Sequence, residues 1–133
     1  MKGRMVVLLS VLAFVVAGCG SSAPPIASVA GTWVGTTSDS VVGAGNIRAT
    51  IGQSSSALSG TWSSTYSNPS NNNGGTLNGS VSGSSVSLML TPSVPTSCPF
   101  SVTATVTANQ MSGTYASVSC SVAVTGSINV TRQ

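Results

Sequence analysis

Charge is the property that this chain of 133 residues most lacks. It contains four Lys or Arg residues, one acidic residue and no His. Lys2 and Arg4 precede an apolar N-terminal segment, and residues 19–133 carry only Asp39, Arg48 and Arg132 as charged side chains. Because no run of basic residues is present to neutralise successive phosphates, nucleic-acid binding is not expected.

The same shortage argues against enzymatic activity. General acid–base catalysis usually needs His, Lys or paired carboxylates, and residues 19–133 contain no His, Lys or Glu. Asp39 is the only carboxylate side chain, whereas glycoside hydrolysis usually requires two. No base is present to activate a serine nucleophile, and ligands for a metal site are lacking. We therefore predict a noncatalytic protein that has no cofactor and no bound metal.

The N-terminus has the organisation of a secretory signal. Lys2 and Arg4 form a positively charged region, and residues 5–16 form an apolar run. A transmembrane helix is the alternative interpretation, but spanning a bilayer takes about 20 apolar residues and this run is shorter. The segment ends in Val16-Ala17-Gly18-Cys19, in which small residues directly precede a cysteine.

This ending resembles a bacterial lipobox, with an ordinary secretory signal as the alternative. The resemblance implies removal of residues 1–18 and diacylation of Cys19. Residues 19–29 would then form a flexible tether, and residues 30–133 would form one β domain. Two or more acyl chains give a stable anchor, so we expect a lipid-anchored protein of the bacterial cell envelope. Gly20 and Ser21 follow the cysteine in place of Asp, which favours the outer membrane if the host is Gram-negative.

Apolar residues alternate with small polar residues along the rest of the chain, which favours strands over a disordered Ser/Thr-rich stalk. Eight strands are predicted, at residues 31–37, 47–51, 58–66, 76–82, 85–91, 100–107, 111–118 and 121–131, with a loop at 68–75. Short gaps between them indicate antiparallel neighbours. The predicted apolar cross-strand pairs are Val81 with Val86, Val106 with Met111, Val102 with Tyr115, and Ile51 with Leu58. The fold class is therefore all-β, an eight-stranded antiparallel up-and-down barrel, with a two-sheet β-sandwich as the alternative.

Cys98 and Cys120 are predicted to form a disulfide. The register of the hairpin formed by residues 100–118 places Cys98 opposite Ser119, so a small bulge would bring it to Cys120. An exported compartment permits the bond, which would stabilise the fold by about 3 kcal/mol. A redox pair or half of a metal site is less favoured, because the spacing is far from Cys-x-x-Cys and the chain has no His.

Gly31-Thr32-Trp33 in the first strand and Arg132 in the last make the chain resemble the calycin superfamily, which includes lipocalins and avidins. In that superfamily a Gly-x-Trp opens the barrel and a late basic residue packs near the tryptophan. The resemblance implies that Trp33 and Arg132 close the barrel, although an exposed Arg132 is an alternative. Biotin binding of the avidin type is not expected, because no tryptophan follows Trp62 and the only acidic residue is Asp39.

Two noncatalytic functions fit this barrel. In the first, the interior binds a small apolar or weakly polar molecule, and Gly60, Gly79 and Gly113 leave room for it. The lining candidates are Trp62, Tyr115, Leu88 and Val102. In the second, the core is solid and the protein interacts with another envelope protein through residues 68–75 or 92–99, as small calycin-like inhibitors of secreted proteases or lysozyme do. The interior volume discriminates between the two.

Overall fold

The computed structural model describes residues 18–20 and 22–133, so residues 1–17 of the predicted signal peptide lie outside the described residues. Strands make up most of the described chain. They are β1 (Gly31–Asp39), β2 (Gly43–Ser54), β3 (Ala57–Tyr66), β4 (Asn73–Ser82), β5 (Ser85–Pro92), β6 (Phe100–Thr107), β7 (Gln110–Ser117) and β8 (Thr125–Arg132). One 3-10 turn, Pro69–Asn71, lies between β3 and β4. In the described part of the chain, no helix has the length and apolar character needed to cross a membrane.

The strands pair antiparallel in chain order, and β8 pairs with β1 to close the sheet into a barrel. The predicted eight-stranded up-and-down barrel is therefore confirmed, and the alternative of a two-sheet sandwich does not apply. Closure removes the free sheet edges that would otherwise pair with other chains.

The predicted register is confirmed in two hairpins and wrong in a third. Val81 lies opposite Val86, and Val106 lies opposite Met111, as expected. In the β2–β3 hairpin, however, Ile51 lies opposite Gly60 and Leu58 lies opposite Gln53. β2 continues to Ser54 and a tight turn follows, which moves the register by two residues. Such a shift keeps every side chain on its own face, so alternation alone could not exclude it.

The strand ends also differ from the prediction at two loops. β4 begins at Asn73, inside the predicted loop 68–75, and β8 begins only at Thr125 instead of at residue 121. The Asn- and Gly-rich start of β4 favours a loop by composition, because those residues disfavour strands. A Cβ on Gly75 would lie 2.0 Å from the carbonyl oxygen of Thr91, so glycine permits the close pairing there.

The outward face of the barrel is covered by hydroxyl groups. One row of threonines runs across five adjacent strands in register: Thr32, Thr50, Thr61, Thr76 and Thr91. Cross-strand threonine pairs stabilise a sheet, and their hydroxyls remain available to water. These groups provide the hydrophilic surface that charged side chains provide in most proteins.

One end of the barrel is covered by the chain that precedes β1. Val29 is completely buried there, and the Trp33 indole nitrogen donates a hydrogen bond of 2.8 Å to the Val29 carbonyl oxygen. The side-chain amide of Gln53 accepts from the Val29 nitrogen at 2.7 Å and donates to the Ala27 carbonyl oxygen at 3.1 Å. Residues 27–29, the last part of the predicted tether, are therefore packed against the barrel.

Arg132 completes this end. It lies opposite Trp33 in the β1–β8 pairing that closes the barrel, and its guanidinium carbon is 4.7 Å from the centre of the Trp33 ring. The guanidinium donates to the carbonyl oxygens of Ser28 and Ala30. Arg132 thus links β8 to β1 and to the segment that precedes β1.

Candidate functional site

The two ends of the barrel differ in the length of their connections. Residues 55–56, 83–84 and 108–109 form short turns at the end covered by residues 27–30. The opposite end, called the mouth below, carries the longer connections, residues 40–42, 67–72, 93–99 and 118–124. Loops of variable sequence on a rigid scaffold are the usual place for a binding site.

A cavity of about 440 Å³ opens at the mouth. Trp62 and Tyr115, two of the four predicted lining residues, are on its wall. The other two, Leu88 and Val102, are not: they are 7% and 2% exposed and belong to the packed core. The interior is therefore filled at one end and open at the other.

The three glycines expected to leave interior room have a different role. A Cβ on Gly60, Gly79 or Gly113 would lie 1.9, 1.9 or 2.2 Å from a backbone oxygen of the neighbouring strand. None of the three lines the cavity. Inward-facing glycine lets adjacent backbones approach closely, so these residues tighten the barrel and do not hollow it.

Three aromatic rings form one wall of the cavity. The Trp62 and Phe100 rings pack edge to face with centroids 6.4 Å apart, and Phe100 and Tyr115 do the same at 5.6 Å. The Trp62 indole nitrogen donates to the Thr76 carbonyl oxygen at 3.1 Å, which fixes the ring. Sequence reasoning missed Phe100, although alternation places it on the same face as Val102.

Polar side chains form the rest of the cavity wall. Among the described residues, the buried polar side chains are Thr37 and Ser64, and both lie on the cavity wall. Thr37 donates a hydrogen bond of 3.3 Å to the Tyr115 hydroxyl, which donates to Asp39 Oδ2 at 2.9 Å. The other Asp39 oxygen accepts from the backbone nitrogen of Val42 at 3.0 Å. Tyrosine, aspartate and threonine thus form one connected network.

Burial raises the pKa of the Tyr115 phenol well above its usual value; the hydrogen bond from Thr37 lowers this pKa in part, and the nearby Asp39 carboxylate raises it further. The hydroxyl therefore keeps its proton at neutral pH and remains a donor. Gly126 makes its position feasible, because a Cβ there would lie 2.2 Å from Cζ of the Tyr115 ring. The ring crosses Gly126 on β8 to reach Asp39 on β1. Sequence reasoning did not identify this glycine.

Asp39 is the only acidic residue of the chain and it lines the cavity. Among the residues that the structure describes, no basic side chain lines the cavity with it. Arg48 is exposed, and Arg132 lies at the covered end of the barrel. In the part of the chain that the structure describes, no cluster of residues could hold a metal ion.

The rim of the mouth is fixed by a disulfide. Cys98 and Cys120 are bonded with their Cα atoms 5.8 Å apart, which confirms the predicted pairing and joins the loops 93–99 and 118–124. Ser119, which the predicted register places opposite Cys98, has a φ of 58°. Val41 and Val94 line the cavity entrance and are 60% and 52% exposed.

Cys19 is exposed and forms no disulfide. Its lipidation stays a prediction. Comparison of the chain with protein-family models, with curated proteins and with solved structures finds no match. The observed fold, a closed antiparallel barrel of eight strands, is compatible with a calycin-like architecture.

Proposed function

We propose that this protein is a membrane-tethered, noncatalytic lipoprotein whose lipocalin-like barrel binds a small apolar or weakly polar molecule. The observation that carries this proposal is the cavity of about 440 Å³ at the mouth, whose wall combines three packed aromatic rings with a polar network. Ligand cavities in proteins are typically about 300–1,000 Å³, mainly apolar and equipped with a few placed polar groups.

The position of the N-terminal segment supports a tethered binding protein. The segment enters at the covered end, where Ala27 donates a backbone hydrogen bond of 2.8 Å to Gly83. A lipid on Cys19 would be separated from Ala27 by a segment that spans at most roughly 30 Å when extended. The covered end would then face the membrane of the bacterial envelope, and the mouth would open away from it.

Native mass spectrometry of protein purified from its own host tests the binding proposal. The form expressed with an ordinary secretory signal in place of residues 1–19 is appropriate, because it keeps the whole barrel and its covering segment, carries neither the lipid nor the apolar segment, and needs no detergent that could enter the cavity. We expect a reproducible noncovalent mass that is released when the protein is denatured. Recovery of the protein without any such mass, from several growth conditions, would count against the proposal.

A second function, binding of another envelope protein through the mouth loops, is favoured by the exposed valines there. Val94 lies in the loop 93–99 and Val122 in the loop 118–124, where they are 52% and 62% exposed. Apolar side chains presented on loops mark interaction surfaces when they form a patch. A co-purifying protein that is lost in a Val94→Ser, Val122→Ser variant, together with an empty cavity, would favour this alternative.

A further inference from the structure

The charge at the cavity has one sign. Asp39 is the last residue of β1 and lines the cavity at the mouth, and within the described residues 18–20 and 22–133 its carboxylate is the only charged group on the cavity wall. An anionic ligand would find no cationic partner there and would be repelled by this carboxylate. Fatty acids and other carboxylate-bearing amphiphiles are therefore disfavoured.

The Asp39 carboxylate retains capacity for a ligand. Its Oδ1 atom accepts from the backbone nitrogens of Val41 at 2.8 Å and Val42 at 3.0 Å, which fills that oxygen. Its Oδ2 atom accepts only the Tyr115 hydroxyl in the described hydrogen bonds, at 2.9 Å. Since each carboxylate oxygen can accept two hydrogen bonds, Oδ2 can take one more donor.

Several aromatic rings line the same cavity as this carboxylate. Trp62, Phe100 and Tyr115 form the continuous edge-to-face wall, and Tyr66 lines the same cavity. The faces of aromatic rings carry negative charge density and attract cations, most strongly where water is excluded. A carboxylate next to several aromatic rings is the arrangement that binds ammonium groups.

On the basis of the proposed binding function, we propose that the ligand is an organic cation, a quaternary or protonated amine with an apolar body. The ammonium group lies against Asp39 Oδ2, beside the Tyr115 hydroxyl, and the apolar body packs on Trp62 and Phe100. A protonated amine also donates a hydrogen bond to Oδ2, whereas a quaternary amine is held by its charge alone. The carboxylate supplies the countercharge, and the aromatic wall supplies both cation–π attraction and apolar contact.

Three probes of similar shape test this inference: phenyltrimethylammonium, the neutral tert-butylbenzene and the anionic phenylphosphonate. Binding can be followed by calorimetry and by the fluorescence of Trp62 in a Trp33→Phe background, because the chain has two tryptophans. We expect the cation to bind roughly tenfold or more tightly than the neutral probe, and the anion not to bind.

The Asp39→Asn variant separates charge from structure. Its amide oxygen can still accept the backbone hydrogen bonds of the β1–β2 turn, so circular dichroism should be unchanged. The affinity for phenyltrimethylammonium should fall roughly tenfold or more, whereas the affinity for tert-butylbenzene should stay within about twofold. Arg48→Gln, which removes a charge from an exposed residue of β2, is the matched control and should leave both affinities unchanged.

The outcomes distinguish this inference from the binding proposal. Equal or tighter binding of tert-butylbenzene overturns the inference and leaves small-molecule binding in place. If none of the three probes binds but native mass spectrometry shows a bound neutral molecule, the inference is likewise overturned and small-molecule binding stays in place. Failure of all three with no bound mass overturns both proposals.

Discussion

Removal of the Cys98–Cys120 disulfide should lower the stability of the barrel by a predictable amount. The bond closes a loop with a sequence separation of 22 residues and joins the loops on either side of the β6–β7 hairpin. In the chain-entropy model, a loop of this length contributes about 3 kcal/mol by restricting the unfolded chain. For a domain of this size, the loss corresponds to a fall in Tm of roughly 10–20 °C.

The double variant Cys98→Ala, Cys120→Ala, compared with the natural chain in urea unfolding, measures this contribution. The natural chain in reducing buffer should unfold at the same urea concentration as the variant in either buffer, and this provides the internal control. The m-value should rise when the crosslink is removed, because the unfolded chain then exposes more surface. A difference in unfolding free energy below about 1 kcal/mol would refute the reasoning that loop closure is the main contribution.

Three further perturbations have expected outcomes. Arg132→Met should lower the unfolding free energy by about 1–2 kcal/mol in urea titration, because the contact with Trp33 and the hydrogen bonds to residues 28 and 30 are lost. An unchanged unfolding free energy would contradict the role of Arg132 in barrel closure. Gly126→Ala should cost roughly 1–3 kcal/mol through the clash with Tyr115, whereas Gly52→Ala, where the added Cβ is 3.6 Å from its nearest neighbour, should change stability by less than about 0.5 kcal/mol. The pKa of Tyr115 is higher in the folded protein than its ordinary value of 10.0. The protonated Tyr115 therefore contributes fully to the free energy of unfolding below about pH 10, and this contribution is lost as the pH rises toward the folded-state pKa. Tyr115→Phe should therefore flatten the stability decline above that pH in unfolding experiments, and an unchanged slope would contradict the raised pKa.

The strands and their order could be predicted because alternation records which side chains face the interior. The same pattern cannot fix a register that is displaced by two residues, as Ile51 and Leu58 illustrate. Nor does it reveal the segment over the covered end, because Val29 is a single apolar residue outside any alternating run.

The site was only partly predictable for a geometric reason. Trp62, Val102, Leu88 and Tyr115 all face inward, but the height of each along the barrel depends on register and strand tilt. Trp62 and Tyr115 line the cavity at the mouth, whereas Leu88 and Val102 are buried in the core beside it. The hydrogen-bond network through Asp39 joins β1 to β7. Because most of the domain separates these two strands along the chain, no local sequence pattern predicts the network.

The account depends most on the cavity at the mouth being the place where a ligand sits. Native mass spectrometry of two neighbouring variants tests this directly: Ser64→Phe fills the cavity from a buried inward position, whereas Ser63→Phe adds the same ring at the adjacent exposed position. We predict that the noncovalent mass is lost in Ser64→Phe and retained in Ser63→Phe. A mass that persists in a folded Ser64→Phe protein would contradict the claim.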